Sequence, residues 1–158
     1  MPSTTPNPHR PRVFIDSDVL FAGAASPSEQ GASLVVLRMA EITLIDAVVS
    51  QQVVSEAERN LAANISEALP AFRLLVSRCL RITPDPEPPD LDQWAGCAGD
   101  KDLPILVAAL REQCPWLVTH NVRHFQPGHT SITVLRPGEF LWRVREQLAT
   151  LPRLSQRN

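Results

Sequence analysis

Residues 13–21 read VFIDSDVLF. Three apolar residues, Val13, Phe14 and Ile15, run straight into Asp16, Ser17 and Asp18 before the chain turns apolar again. A short, wholly apolar run reads as a strand buried on both faces, the centre of a parallel sheet. Asp16 then falls at the carboxyl end of that strand, the edge where open α/β sheets bind their ligands. A carboxylate is costly to bury there unless a cation or hydrogen bonds compensate it. A plainer reading makes Asp16 the cap of the following helix. Other acids arriving at the same edge would distinguish the two.

Working outward, residues 21–30 contain Gly23, small residues, Pro27 and Ser28, which suggests a loop with at most a helical turn. A helix is expected from Ala32, and a second strand over residues 43–49 (TLIDAVV). Ser50 is a natural cap for a helix over 51–63, with Val53, Val54, Ala57 and Leu61 as its apolar stripe. Glu56 lies beside that stripe. Residues 66–80 carry another helical pattern and 81–83 a short strand. The run PDPEPPD (84–90) reads as a surface loop.

Asp102 then opens a helix, with Pro104 allowed in its first turn. WLVT (116–119) is the second strongly apolar strand, followed by His120 and Asn121. One more strand over 131–135 and an amphipathic helix from Pro137, with Phe140, Leu141, Val144 and Leu148 inward, complete the pattern. Strands alternating with helices predict an α/β fold: a mostly parallel central sheet with helices on both faces. The expected organisation is a disordered Pro-rich arm over 1–12, one domain over 13–150 and a frayed tail over 151–158.

Composition narrows the class. A chain of 158 residues with 44% hydrophobic and 20% charged residues suits one soluble globular domain. Its formal net charge of −2 excludes a broadly basic nucleic-acid glove but permits a local basic rim. Cys79, Cys97 and Cys114 form no CxxC pair, which points to reduced thiols in the cytoplasm. No apolar run approaches membrane-spanning length, so no membrane association is expected.

Asp16, Glu56 and Asp102 therefore come from strand ends or helix starts, and Asn121 follows an apolar strand. Acids converging without Lys or Arg partners repel one another, and protons or a divalent cation must relieve that. Hard oxygen donors without His or Cys select Mg²⁺ or Mn²⁺ over zinc. Such a pocket suits phosphodiester chemistry. Asp18, Asp100 and Thr119 are accessory candidates at the same edge. His120, His124 and His129 read as surface histidines, because no Cys or acid completes a zinc tetrahedron with them.

Five motifs in order resemble PIN-domain ribonucleases, the family that includes VapC-type toxins: VFIDSDVLF (13–21), VSQQVVSEAERNL (49–61), DKDLPILVAAL (100–110), LVTHNVRHF (117–125) and LRPGEFL (135–141). The resemblance implies a Mg²⁺- or Mn²⁺-dependent endoribonuclease cleaving single-stranded RNA. It assigns Asp16, Glu56 and Asp102 as metal-holding acids and Asn121 as a neutral ligand or the residue that positions the attacking water. It also implies a homodimer and a small antitoxin partner. Many relatives carry Asp at the fourth position, where this chain has neutral Asn121. Two other readings compete. One is a PIN-like scaffold that binds RNA or protein without turnover. The other is a haloacid-dehalogenase-type phosphatase with Asp16 as nucleophile. The latter needs a lysine between its motifs, and the only lysine, Lys101, lies inside the acidic motif.

Overall fold

A computed structural model describes residues 10–26 and 31–154, with the side chains of 152–154 left aside. Residues 155–158 of the expected tail and most of the expected arm lie outside these residues. Strand β1 (Arg12–Ile15) begins one residue before the expected domain boundary. Around it stand β2 (Asp46–Ser50), β3 (Arg81–Thr83), β4 (Trp116–Val118) and β5 (Thr133–Leu135). All pairings are parallel, in the order β3-β2-β1-β4-β5.

The chain therefore builds outward from β1 in one direction, then returns to its other side with β4. This reversal is a topological switch point, and it opens a crevice at the carboxyl ends of β1 and β4. Val13, Phe14, Ile15, Leu117 and Val118 are fully buried, as a central strand pair covered on both faces requires.

Helix α1 (Ser17–Ala25) follows β1 directly and runs through residues 21–25, where a loop was expected. The small residues that suggested a loop serve helix packing. A Cβ on Gly23 would fall 2.4 Å from Leu37 Cδ1 and 3.3 Å from the Ser33 carbonyl oxygen, so glycine is what lets α2 (Ala32–Glu41) approach. Thr43, at φ 63, ends the α2 turn, and β2 starts later than its apolar pattern suggested. Helix α3 (Gln51–Asn64) is capped as expected, the Ser50 hydroxyl accepting the Val53 N–H. Helix α4 (Leu69–Cys79) keeps Pro70 in its first turn. Within the proline run, Pro88–Leu91 forms a short helix, α5, closed by reciprocal Glu87 and Asp90 caps.

Helix α6 (Leu103–Arg111) begins after Asp102, and α7 (Pro137–Leu154) runs beyond the expected domain end. Phe140 is buried in the core, but Leu148, expected inward, is 60% exposed because α7 has passed the end of the core there. The thiols of Cys79, Cys97 and Cys114 are free. Among the described residues no helix is long and apolar enough to cross a membrane.

Candidate functional site

The crevice is built by extending the two central strands by one residue each. The Asp16 N–H donates to the Val118 carbonyl at 3.0 Å, and the Thr119 N–H donates to the Leu135 carbonyl at 3.0 Å. These ladder bonds fix the backbones of Asp16 and Thr119 side by side at the sheet edge. Asp16 is at once the residue that follows β1 and the cap of the next helix. It stands at the N-cap of α1, with Oδ1 accepting the Ser17 N–H at 2.7 Å. Its other oxygen, Oδ2, accepts the Thr119 hydroxyl at 2.8 Å.

Asp18 enters from the first turn of α1. Its Oδ2 accepts the His120 N–H at 3.1 Å and the Asn121 side-chain amide at 2.9 Å, and lies 3.3 Å from the Thr119 hydroxyl. The Thr119 oxygen also accepts the Asn121 N–H at 3.0 Å. Its single proton serves one carboxylate, and the shorter distance gives it to Asp16. Asp18 Oδ1 is sealed from solvent without a hydrogen-bond partner.

Asp102 occupies the N-cap position of α6, but its side chain makes no capping bond. It lies 3.3 Å from His124 Nδ1 instead. The loop before α6 is held toward that histidine by the Gly99 N–H, which donates to the His124 carbonyl at 2.9 Å. Glu56, half-buried on α3, makes no ion pair or hydrogen bond among the described residues and acts on Asp102 through its charge.

The electrostatics tie these groups together. Burial, then the Asp18 charge and more weakly that of Asp102, push the Asp16 carboxyl up to about 7, against the pull of Thr119 and Ser17. Burial also raises Asp18, opposed by the nearby His120 ring. Asp102 is raised by burial and by Glu56, while His124 and Lys101 draw it down. Among the described residues none of Asp16, Asp18, Asp102 and Glu56 forms an ion pair with Arg or Lys.

Asp16, Asp18, Thr119 and Asn121 thus form one hydrogen-bonded group, with Asp102 and Glu56 coupled to it by charge. Asp100 is exposed and takes no part in these interactions. Two histidines carry more than a surface role. His124 faces Asp102, and the His120 ring nitrogen Nε2 is 2.9 Å from the hydroxyl of buried Ser33 at the start of α2. Their spacing in the sequence suggested zinc or solvent; the residues they meet come from distant segments, which spacing does not reveal.

The architecture is shared with solved structures. VapBC2 from Rickettsia felis, bound to a DNA fragment from their promoter, matches with a TM-score of 0.56 at 16% identity, over 78% of this chain and 96% of that one. FitAcB from Neisseria gonorrhoeae matches with a TM-score of 0.57 at 16% identity, over 80% of this chain and 98% of that one. At such identities the likeness is one of fold. Among curated proteins none matches the sequence. A PIN domain family model does match, over residues 12–123, a span that begins with β1 and holds Asp16, Glu56, Asp102 and Asn121. That match leaves no place for the phosphatase reading: the chain belongs to the PIN-domain family.

Proposed function

We propose that this protein is a Mg²⁺- or Mn²⁺-dependent endoribonuclease that cleaves single-stranded RNA in the cytoplasm. The observation that carries the reading is the gathering of Asp16, Asp18, Asp102 and Glu56 at the switch-point crevice with no Lys or Arg ion pair. Acids so placed repel one another, and Asp16, Asp18 and Asp102 are raised toward protonation, which is the signature of a site completed by a cation.

The donor set fits a hard divalent ion in its chemistry, being all carboxylate oxygen with one oxygen, Asp18 Oδ1, buried and unpartnered. Among the described residues no three His, Cys, Asp or Glu side chains are grouped tightly enough to hold an ion alone. Water would therefore fill part of its shell, as is usual for Mg²⁺. Asp16, Glu56 and Asp102 would hold it. Bound there, it would polarise a phosphoryl oxygen, acidify a water and stabilise the leaving oxygen.

The chain's own residues prepare for that chemistry. Thr119 and the Ser17 N–H fix both oxygens of Asp16, so its carboxylate needs no reorganisation to meet a positive charge. The dry floor of β1 and β4 strengthens every electrostatic interaction made above it. Exposed Arg123, two residues beyond Asn121, would be the basic residue that meets a phosphate of the strand.

The resemblance to VapC-type toxins, and a fold like that of VapBC2, extend the proposal to a homodimer restrained by a small antitoxin. The test is incubation of the purified protein with a pool of structured RNAs in Mg²⁺, Mn²⁺ or EDTA, with Asp16→Asn as control. Cation-dependent cuts in single-stranded segments, absent from Asp16→Asn, are expected. Intact RNA under every condition, from protein that binds the pool, would favour the non-catalytic scaffold instead.

A further inference from the structure

Asp18 and Asn121 are 103 positions apart in the chain, yet the Asn121 side-chain amide donates to Asp18 Oδ2 at 2.9 Å. An ionised carboxylate only accepts, so the amide nitrogen of Asn121 must be the end that faces it. The backbone N–H of Asn121 is also engaged, on the Thr119 hydroxyl at 3.0 Å. Every donor that reaches Asp18 from this loop goes to the same oxygen. The His120 N–H adds a second contact there at 3.1 Å, and Thr119 stands 3.3 Å away. Oδ1 is left buried and without a partner. A carboxylate clamped through one oxygen, with the other closed off from water, is costly unless a ligand meets the free oxygen.

We infer that residues 18 and 121 act as one unit, in which Asp18 supplies a further hard oxygen donor and Asn121 is the positioning residue that holds it. This rests on the cation-dependent reading of the site. The pair divides its work by chemical type. Position 18 carries the charge and keeps Oδ1 free of hydrogen bonds; position 121 carries the donor that fixes Oδ2. Asp at 121 cannot do this while Asp stands at 18. It has no N–H to give, and two carboxylates at hydrogen-bonding distance repel. Exchanging the two residues restores one carboxylate, one amide and the bond between them, with donor and acceptor reversed.

The experiment compares wild type, Asp18→Asn, Asn121→Asp and the exchanged double variant. Each is titrated with Mn²⁺ by calorimetry and melted in EDTA at pH 7. Asp18→Asn is expected to melt no lower than wild type yet to lose about 10–100-fold in Mn²⁺ affinity, the range typical of residues that tune a metal site. A residue with a purely structural role would not separate the two readouts in this way. Asn121→Asp is expected to melt lower in EDTA without gaining Mn²⁺ affinity. The exchanged variant should return in both readouts, so that the single effects do not add.

Tighter Mn²⁺ binding by Asn121→Asp with no loss of melting temperature would overturn the inference, as would simple addition of the single effects in the double variant. Wild-type affinity in Asp18→Asn, with Mn²⁺ binding otherwise intact, would overturn it while leaving the nuclease reading standing. Failure of wild type itself to bind Mn²⁺ would overturn both.

Discussion

The Thr119 hydroxyl donates to Asp16 Oδ2 across 2.8 Å, joining the ends of the two central strands. Thr119 is fully buried and its oxygen also receives the Asn121 N–H. Thr119→Val keeps the shape and removes both interactions. It leaves a buried carboxylate oxygen and a backbone N–H short of a partner, at a cost of about 1–3 kcal/mol. Urea denaturation should show that loss, and Thr119→Ser, which keeps the hydroxyl, should recover most of it. Equal stability of the Val and Ser variants would mean the hydroxyl contributes nothing.

Asp16 makes the cation-free protein sensitive to pH in a definite direction. Its carboxyl is raised from 3.8 to about 7 in the folded chain, so the native state holds a proton that the unfolded chain has released. Stability from this group is complete below about pH 4 and is lost as pH rises through 7. Asp18 and Asp102 shift in the same direction. In EDTA the melting temperature should therefore fall between pH 5 and 8, and Asp16→Asn should fall less steeply. An unchanged slope in that variant would show that Asp16 does not titrate as its burial requires.

Gly23 offers a test of the scaffold away from the acids. A methyl group there meets Leu37 Cδ1 at 2.4 Å, inside a contact where Leu37 is 1% exposed. Leu37 has to move, and the Ser33 carbonyl at 3.3 Å is a second tight contact, on the α2 backbone. Gly23→Ala should cost about 1–3 kcal/mol by overpacking. Because Ser33 reaches His120, the substitution should also shift the His120 ring resonances in an NMR spectrum. A variant as stable as wild type would show the helix pair to be looser than this packing implies.

Much of this arrangement can be read from local sequence because burial leaves a local mark. Val13–Ile15 and Trp116–Val118 are apolar on both faces, and that alone identifies central parallel strands and puts Asp16 at a sheet edge. Ser50 announces its helix by its capping chemistry. Helix α1 is less visible, since Gly23 and its small neighbours look like a loop until Leu37 is seen against them. Thr43 and Leu148 show a similar limit. Their apolar surroundings say strand or core, while a positive φ at one and the end of the core at the other decide otherwise. At the site, the acids stand out by position, but the bonds from Asn121 to Asp18 and from His120 to Ser33 join distant segments. Only the folded chain brings those side chains together.

The central claim is that Asp16, Glu56 and Asp102 share one divalent-cation site. Calorimetric titration of Mn²⁺ into wild type and Asp16→Asn tests it most directly. Wild type should bind the ion, and Asp16→Asn should lose roughly tenfold or more in affinity, about 1.4 kcal/mol, while melting no lower than wild type in EDTA. Equal Mn²⁺ affinity in the two proteins would contradict the account.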